Sequence, residues 1–288
     1  MSQFFRNGYL LHLLSIPLLA TVVSALTYSY SDIQVPGSSY TSAIGINNMG
    51  DIVGYYQSSQ GQVHGFVLSN GTYTTLDFPG AIGGTFAHDI NDGGAIVGNY
   101  DDGKGSHGFV FANGKYAAFN FPNAPGGTFA AGINKAGQIV GSYSSNNQMH
   151  GFELQGRTFK KIDAPNSTQT LPVGINNAGK ISGTFYDAAG THGFVLSGSS
   201  FQTIDFPGSN NTTDGAGLND KALVVGNFKD PNLQLYQGLL TDTVRFQQLT
   251  VPGSVTTFPS DINNAKVIVG VYFNGGVNPV GFMATPAQ

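Results

Sequence analysis

One segment recurs six times in this chain: "AIGINNMGDIVGYY" (43–56), "HDINDGGAIVGNY" (88–100), "AGINKAGQIVGSY" (131–143), "VGINNAGKISGTF" (173–185), "AGLNDKALVVGNF" (216–228) and "SDINNAKVIVGVY" (260–272). Its anchoring apolar residue falls at Ile46, Ile90, Ile133, Ile175, Leu218 and Ile262, at spacings of 44, 43, 42, 43 and 44 residues. A unit this short cannot bury its apolar face alone, so it must stack on its neighbours. In the second copy "GTFAHDIN" alternates into a turn at Asp92-Gly93-Gly94; "AIVGNY", the loop "DDGKGS", "HGFVFA", the turn Asn113-Gly114 and "KYAAFNFP" follow. Each run reads as a strand bounded by turn residues. Four strands per period predict an all-β fold: a six-bladed β-propeller of four-stranded antiparallel blades.

The chain ends predict how the ring closes. If the Gly-Ile-Asn strand is innermost, an order taken by analogy with other propellers, "YSDIQVPG" (30–37) is an outer strand with no blade of its own. The last copy, ending at "VGFMAT" (280–285), lacks such a strand. Pairing the two removes the free sheet edges that an open solenoid of six units, the competing architecture, would expose. Pro36, Pro79, Pro122, Pro165, Pro207 and Pro252 follow the outer runs and end their pairing, while the glycine of "IVG" lets strands or blades approach closely.

Composition agrees. Forty-one glycines and 21 phenylalanines fit many short strands and tight turns better than helices. Twelve Lys and Arg against 16 Asp and Glu give a formal charge of -4 without a basic run, so nucleic acid is not an expected partner. Residues 1–25 read as a signal peptide: Arg6 precedes an apolar stretch from Tyr9 that is short for a membrane span and interrupted by His12 and Pro17, and Val23-Ser24-Ala25 suits cleavage. The propeller then occupies 26–288, with no stable membrane span, in the secretory pathway or outside the cell. Having no cysteine, it must draw its stability from its core. Sequons at Asn70, Asn166, Asn210 and Asn211 are glycosylation candidates in a eukaryotic host.

Candidate chemistry lies where the repeat is broken. His64, His107, His150 and His192 all precede Gly-Phe, with Gln237 and Val280 in the equivalent places, so these imidazoles are expected to bond neighbouring backbone or the adjacent blade. The "IND" and "INN" residues are expected turn formers, and no dense acidic loop follows them; no metal is predicted. His88 is the one mature-chain histidine outside the repeated slot. Its equivalents are Ile44, Ala131, Val173, Ala216 and Ser260, the tolerance expected of a channel-lining position. Asp89 stands where four sisters have glycine, as does Asp261. Two residues before the His88 position, Phe86, Phe129, Leu171 and Phe258 are apolar, whereas Ser42 and Asp214 are not. Such a mouth suits an apolar ligand with a polar head, although a packed core His-Asp pair remains the alternative. Tyr40, Tyr55, Tyr186 and Lys229 fall on loops expected to share one face and are candidates to rim it. No Gly-x-Ser-x-Gly elbow, His-Glu-x-x-His, phosphate loop or dinucleotide fingerprint is present, so cofactor-free chemistry in a shaped pocket is the enzymatic reading.

The pattern "GINxxGxIVGxY", followed by "HGF" and "IDFPG", resembles the extracellular repeats called the HAF family, over residues 28–285. In size, signal peptide, cysteine-free composition and repeat texture the chain also resembles fungal hetero-Diels–Alderases of tropolonic sesquiterpenoid biosynthesis. That resemblance implies a pericyclase needing no cofactor, which joins a tropolone-derived ortho-quinone methide to a humulene-like sesquiterpene. His88, supported by Asp89, would then act as acid or hydrogen-bond donor. Phe86, Phe129 and Phe258 would cradle the hydrocarbon, with Asp214, Tyr40 and Tyr186 also at the binding site. A reading from another class is a non-catalytic secreted binding propeller, glycan-binding or structural, for which near-identical sites in every blade are the expected mark.

Overall fold

A computed structural model describes residues 26–287. The expected signal peptide lies outside the described residues, among which no helix is long and apolar enough to cross a membrane. The first strand of the described residues is β1 (Tyr28–Ile33). Blade 1 is β2 (Ser38–Ile46), β3 (Ile52–Ser58), β4 (Val63–Ser69) and β5 (Thr72–Leu76); blade 2 is β6 (Gly84–Ile90), β7 (Ile96–Asp101), β8 (Ser106–Ala112) and β9 (Lys115–Phe119). Blade 3 is β10 (Thr128–Ile133), β11 (Ile139–Ser145), β12 (Gln148–Gln155) and β13 (Thr158–Ile162); blade 4 is β14 (Gln169–Ile175), β15 (Ile181–Tyr186), β16 (Thr191–Ser197) and β17 (Ser200–Ile204). Blade 5 is β18 (Thr213–Leu218), β19 (Val224–Lys229), β20 (Tyr236–Thr241) and β21 (Phe246–Leu249). Blade 6 takes β22 (Thr256–Ile262), β23 (Ile268–Phe273) and β24 (Val280–Pro286) from the C-terminal end, and its outer strand is β1. Tyr28 lies opposite Pro286 and Ile33 opposite Gly281, antiparallel throughout. The ring is therefore a closed six-bladed propeller, sewn from both ends as the termini predict.

Strands β2, β6, β10, β14, β18 and β22 contact one another in turn, and β22 returns to β2, so the Gly-Ile-Asn strands do line the axis. The core lies between blades. Val53 and Leu76 of blade 1 pack with Ala87, Ile90, Ile96 and Phe109 of blade 2, and the other junctions repeat this arrangement. At the closing junction Ile33 and Val35 pack with Val269, Ile46, Ile52 and Phe66. The phenylalanines of the repeated His-Gly-Phe, Phe66, Phe109, Phe152 and Phe194, are fully buried there, each contributing on the order of 2–3 kcal/mol of burial. The "IVG" glycine is required by close approach within the blade, since a β-carbon at Gly98 would run into the Phe86 carbonyl oxygen.

The repeated Asn after each anchor does more than turn the chain. In blade 3 the Asn134 Oδ1 accepts from the backbone N–H groups of Ala136 and Gln138, which fixes the turn. Its Nδ2 donates to the Asn176 carbonyl of the next blade at 3.2 Å. The same inter-blade bond runs from Asn47 to Asn91, Asn91 to Asn134, Asn176 to Asn219, Asn219 to Asn263 and Asn263 back to Asn47. Six carboxamides thus form a closed belt around the lower end of the axis. The following residues form a second belt, in which backbone N–H groups donate to the next blade's side chain: Asn48 to Asp92, Lys135 to Asn177, Asn177 to Asp220, Asp220 to Asn264 and Asn264 to Asn48. It is interrupted at Lys135, which has no acceptor to offer Asp92.

The repeated histidines are structural in a way the sequence reading did not foresee: their partners are side chains of their own blade, thirteen residues on. Nδ1 of His64 bonds Asp77 at 2.8 Å, that of His107 bonds Asn120 at 2.9 Å, that of His150 bonds Asp163 at 3.2 Å and that of His192 bonds Asp205 at 2.8 Å. Each ring also lies against the aromatic residue paired with it across the sheet, Tyr56, Tyr100, Tyr143 or Phe185. Backbone and neighbouring blades are left out because the outer strand brings its Asp or Asn directly beside the imidazole.

Candidate functional site

The inner strands run from the upper face, which carries the loops between blades and those between second and third strands, to the belted lower face. Just before the Asn turn each inner strand slips against its neighbour. The slip falls between Ala43 and Gly45, Ala87 and Asp89, Ala130 and Gly132, Pro172 and Gly174, Gly215 and Leu218, and Pro259 and Asp261. A bulge leaves one residue unpaired and re-aims its side chain. Here the residues skipped by the pairing include Ile44, His88, Ala131, Val173, Ala216 and Ser260, which line one axial cavity of about 230 Å³. Crowding at this level explains the neighbouring glycines: a β-carbon at Gly45 would sit 2.6 Å from the His88 carbonyl oxygen.

Five of those six side chains are aliphatic or a small hydroxyl; the sixth is an imidazole. His88 is half-buried. Burial lowers its pKa to about 4, and no hydrogen-bonding partner of the ring is found among the described residues. At neutral pH the ring is uncharged, with one nitrogen able to donate and the other to accept.

Asp89 does not support it. The Asp89 carboxylate faces the lower end, where Oδ1 accepts from the N–H of Ile90 and Oδ2 from the N–H of Ile133 in the next blade, both at 2.7 Å. Asp261 does the same between blades 6 and 1, accepting from Ile46 at 2.9 Å. Both carboxyl groups, with Gly174, border the upper cavity and a smaller one of about 70 Å³ inside the Asn belt, so they form the waist of the channel. Burial pushes Asp89 up to about 7 despite its two N–H donors. Burial and the nearby Asp89 charge push Asp261 well above the usual carboxylate range. Two carboxyl groups so enclosed, with no cation beside them among the residues lining the upper cavity, hold a proton readily.

Above the cavity the candidates form two aromatic groups. Tyr40 meets Tyr55 edge-on at 6.4 Å and Tyr55 meets Phe86 at 5.1 Å. On blades 5 and 6 Phe258, which also lines the cavity, lies 5.5 Å from Tyr236. Tyr186 stands near Asp214 and Tyr236; burial, then these neighbours, raise its pKa. Asp214 is also raised by burial, against a hydrogen bond from Thr184. Phe86, Phe129, Asp214, Tyr40 and Tyr186 are not among the residues bordering the axial cavity; they belong to the mouth above it, with Phe86, Phe129 and Asp214 each two residues up the strand from the bulge. Sequence reasoning took Asp261 only as a sign that the change at Asp89 is not unique and did not count it a site residue, although two carboxyl groups among four glycines is itself a signal. It also missed Asn227, whose buried Oδ1 has no hydrogen-bonding partner among the described residues and which lines the cavity. The sequon residues Asn70, Asn166, Asn210 and Asn211 are all exposed, in left-handed turn conformations. Among the described residues no three His, Asp or Glu side chains converge as a metal site requires.

No family model matches the chain, and no curated protein matches it. Among solved structures it is similar to a catalytically inactive virginiamycin B lyase from Staphylococcus aureus, with 12% identity over 91% of this chain and 89% of that one, at a TM-score of 0.55. It is similar to TolB from Acinetobacter baumannii, with 13% identity over 83% of this chain and 64% of that one, at a TM-score of 0.59. It is also similar to a mutant of AofleA from Arthrobotrys oligospora, with 14% identity over 91% of this chain and 94% of that one, at a TM-score of 0.50. At these identities the likeness is one of fold alone. The class defined by fold and site is thus a closed six-bladed propeller with one asymmetric axial cavity.

Proposed function

We propose that the protein is an enzyme of secondary metabolism working through its single axial site. The reaction proposed is an intermolecular hetero-Diels–Alder cyclisation between a tropolone-derived ortho-quinone methide and a humulene-like sesquiterpene, in the secretory pathway or outside the cell. The observation that carries an enzymatic reading is the unpaired, neutral His88 imidazole held by a bulge in a cavity whose neighbouring bulge residues are Ile44, Ala131, Val173, Ala216 and Ser260. The particular reaction comes from the resemblance in size, composition and repeat texture.

The chemistry fits what such a site can supply. The ortho-quinone methide arises from a hydroxymethyl-tropolone by loss of one water; the cycloaddition then forms one carbon–carbon and one carbon–oxygen bond in a cyclic array, expels nothing further and needs no cofactor. Holding both partners in reacting geometry can remove up to roughly 7–11 kcal/mol of barrier. His88, donating to the oxadiene oxygen, would stabilise the negative charge that gathers there. Phe258 and the aromatic groups above it would hold the hydrocarbon at the mouth. Asp89 serves the site as part of the waist, by tying blade 2 to blade 3.

The competing reading, a binding propeller with a pocket in every blade, gains no support from the repeated residues. The Asn belt and the histidines are engaged in internal hydrogen bonds, and the channel side chains differ between blades. The test is incubation of the purified protein with a hydroxymethyl-tropolone precursor and humulene, scoring product rate and stereoisomer ratio against a boiled control. Acceleration with an altered isomer ratio is the expected result; identical profiles would remove the cyclase reading. Glycan binding at six equivalent sites would establish the other one.

A further inference from the structure

The sixfold repeat supplies its own control: a residue that departs from its five sisters marks a place where architecture alone does not decide. Three such departures and one hairpin cation, Arg157, converge on one groove of about 690 Å³ between blades 2 and 3, opening at the lower face and away from the channel mouth. Two of them shrink the blade 2 wall. Ala95 stands where the sisters have Asp51, Gln138, Lys180, Leu223 and Val267, and Ala117 where they have Ser31, Thr74, Lys160, Gln202 and Gln247. The other two place cations on the blade 3 side. Lys135 replaces the Asn or Asp found at 48, 92, 177, 220 and 264, and Arg157 occupies a hairpin position held by Gly71, Gly114 and Ser199 in blades 1, 2 and 4.

Lys135 is the more telling of the two cations, because its presence breaks the second inter-blade belt. Both cations are exposed, and neither has an acidic partner within salt-bridge distance among the described residues. Among the described residues no acidic side chain lines the groove. Its floor is apolar: Val110 and Phe119 from blade 2 face Ile139, Leu154 and Phe159 from blade 3. Phe119 and Phe159 are half-buried, with ring centroids 6.3 Å apart. The groove falls in the roughly 300–1,000 Å³ range of small-molecule sites.

We infer that this groove binds an anionic amphiphile, a single-chain carboxylic acid, with its chain on Val110, Phe119, Leu154 and Phe159 and its carboxylate between Lys135 and Arg157. Charge complementarity selects the head, since an apolar floor whose only charged edge residues are cations favours an anion over an alcohol or an amine of the same length. The small Ala95 and Ala117 leave room for the chain. The groove shares Asn91, Ile133 and Lys135 with the small cavity inside the belt but no residue with the upper cavity, and its occupancy requires nothing of the reaction proposed there.

The experiment is calorimetric titration of the purified chain with decanoate, below its micelle concentration, and with decanol. Decanoate is expected to bind at one saturable site, at least about tenfold more tightly than decanol, with affinity falling as salt rises. The double variant Lys135→Asn, Arg157→Gly, made from residues the sister blades carry and therefore compatible with the fold, should lose at least about tenfold in decanoate affinity and most of the salt dependence. Ala117→Gln, as in blades 4 and 5, should weaken both ligands by filling the groove. Failure of decanoate to saturate, equal affinity for decanol, or unchanged binding by the folded double variant would each overturn the inference.

Discussion

Replacing Asn134 by Ala should destabilise the whole ring, although the residue sits in a turn. Its side chain is 3% exposed and makes four hydrogen bonds: to the Asn176 carbonyl, to Gln138 Oε1, and from the N–H groups of Ala136 and Gln138. A typical intramolecular hydrogen bond contributes about 0.5–1.5 kcal/mol net, and a buried group left unpaired costs about 1–3 kcal/mol. The Ala136 N–H lies at an exposed turn where water can replace the lost acceptor, so its share is small. The Asn176 carbonyl, inside the belt, keeps the larger penalty. The expected loss is about 3–5 kcal/mol, which for a chain of this size lowers the melting temperature by roughly 10 °C. Urea unfolding followed by circular dichroism and fluorescence, with thermal scans, measures it. Asn134→Asp should recover only part of the loss, because it restores both acceptor contacts but sets carboxylate oxygen against carbonyl oxygen across the blade junction. An Ala variant within about 0.5 kcal/mol of wild type would refute the belt and return Asn134 to the role of an ordinary turn former.

Three further outcomes follow from the same structure. Deleting residues 26–37 should cripple folding, because β24 loses its outer partner and Ile33 and Val35 leave the closing core; a soluble monomer with unchanged melting would contradict ring closure. Lys135→Asn should stabilise by about 0.5–1.5 kcal/mol by giving the Asp92 N–H an acceptor and completing the second belt, and a destabilised variant would count against that reading. The pH dependence has two arms of opposite sign. His88, lowered to about 4, resists a proton that the unfolded chain accepts below about 6.5, so its contribution makes stability fall as pH drops through that window. Asp89, raised to about 7, makes stability fall as pH rises from about 4 to about 7. His88→Gln should therefore gain about 1–2 kcal/mol over wild type at about pH 5 relative to about pH 8, and equal differences at the two pH values would contradict the burial of the imidazole.

The architecture was legible because each element of it is written six times. Period, turn residues, orphan outer strand and the Pro after each blade agree, so the closed ring could be read without coordinates. The belts were visible only as turn chemistry, since an Asx turn and an inter-blade bond ask for the same residue, and nothing local says that Nδ2 points to the next blade. The histidine partners had a readable signal that went unused: His64 and Asp77, His107 and Asn120, His150 and Asp163, and His192 and Asp205 share one spacing of thirteen residues. At the channel, pattern reading singled out His88, which lines the upper cavity, and joined it to Asp89 by adjacency. The bulge separates them, turning one side chain into the upper cavity and leaving the next to hold backbone N–H groups at the waist. A one-residue change of pairing cannot be read from alternation alone, because the flanking residues carry no common apolar or polar mark: Ala and Gly in blades 1 and 3, Pro and Gly in blade 4, and an Asp on one side in blades 2 and 6.

In the proposed reaction one imidazole, placed by a bulge in an otherwise architectural ring, supplies a hydrogen bond to the reacting oxygen. The most direct measurement is turnover of the tropolone precursor with humulene by His88→Ala and His88→Gln, beside their melting temperatures. Because Ala131 already occupies the equivalent place in blade 3, His88→Ala should fold and melt as wild type does, yet lose about 10²–10³-fold in turnover, as loss of one positioned donor predicts. His88→Gln, which keeps an N–H donor, should recover a substantial part. Wild-type turnover by a stably folded His88→Ala would contradict the role given to the imidazole.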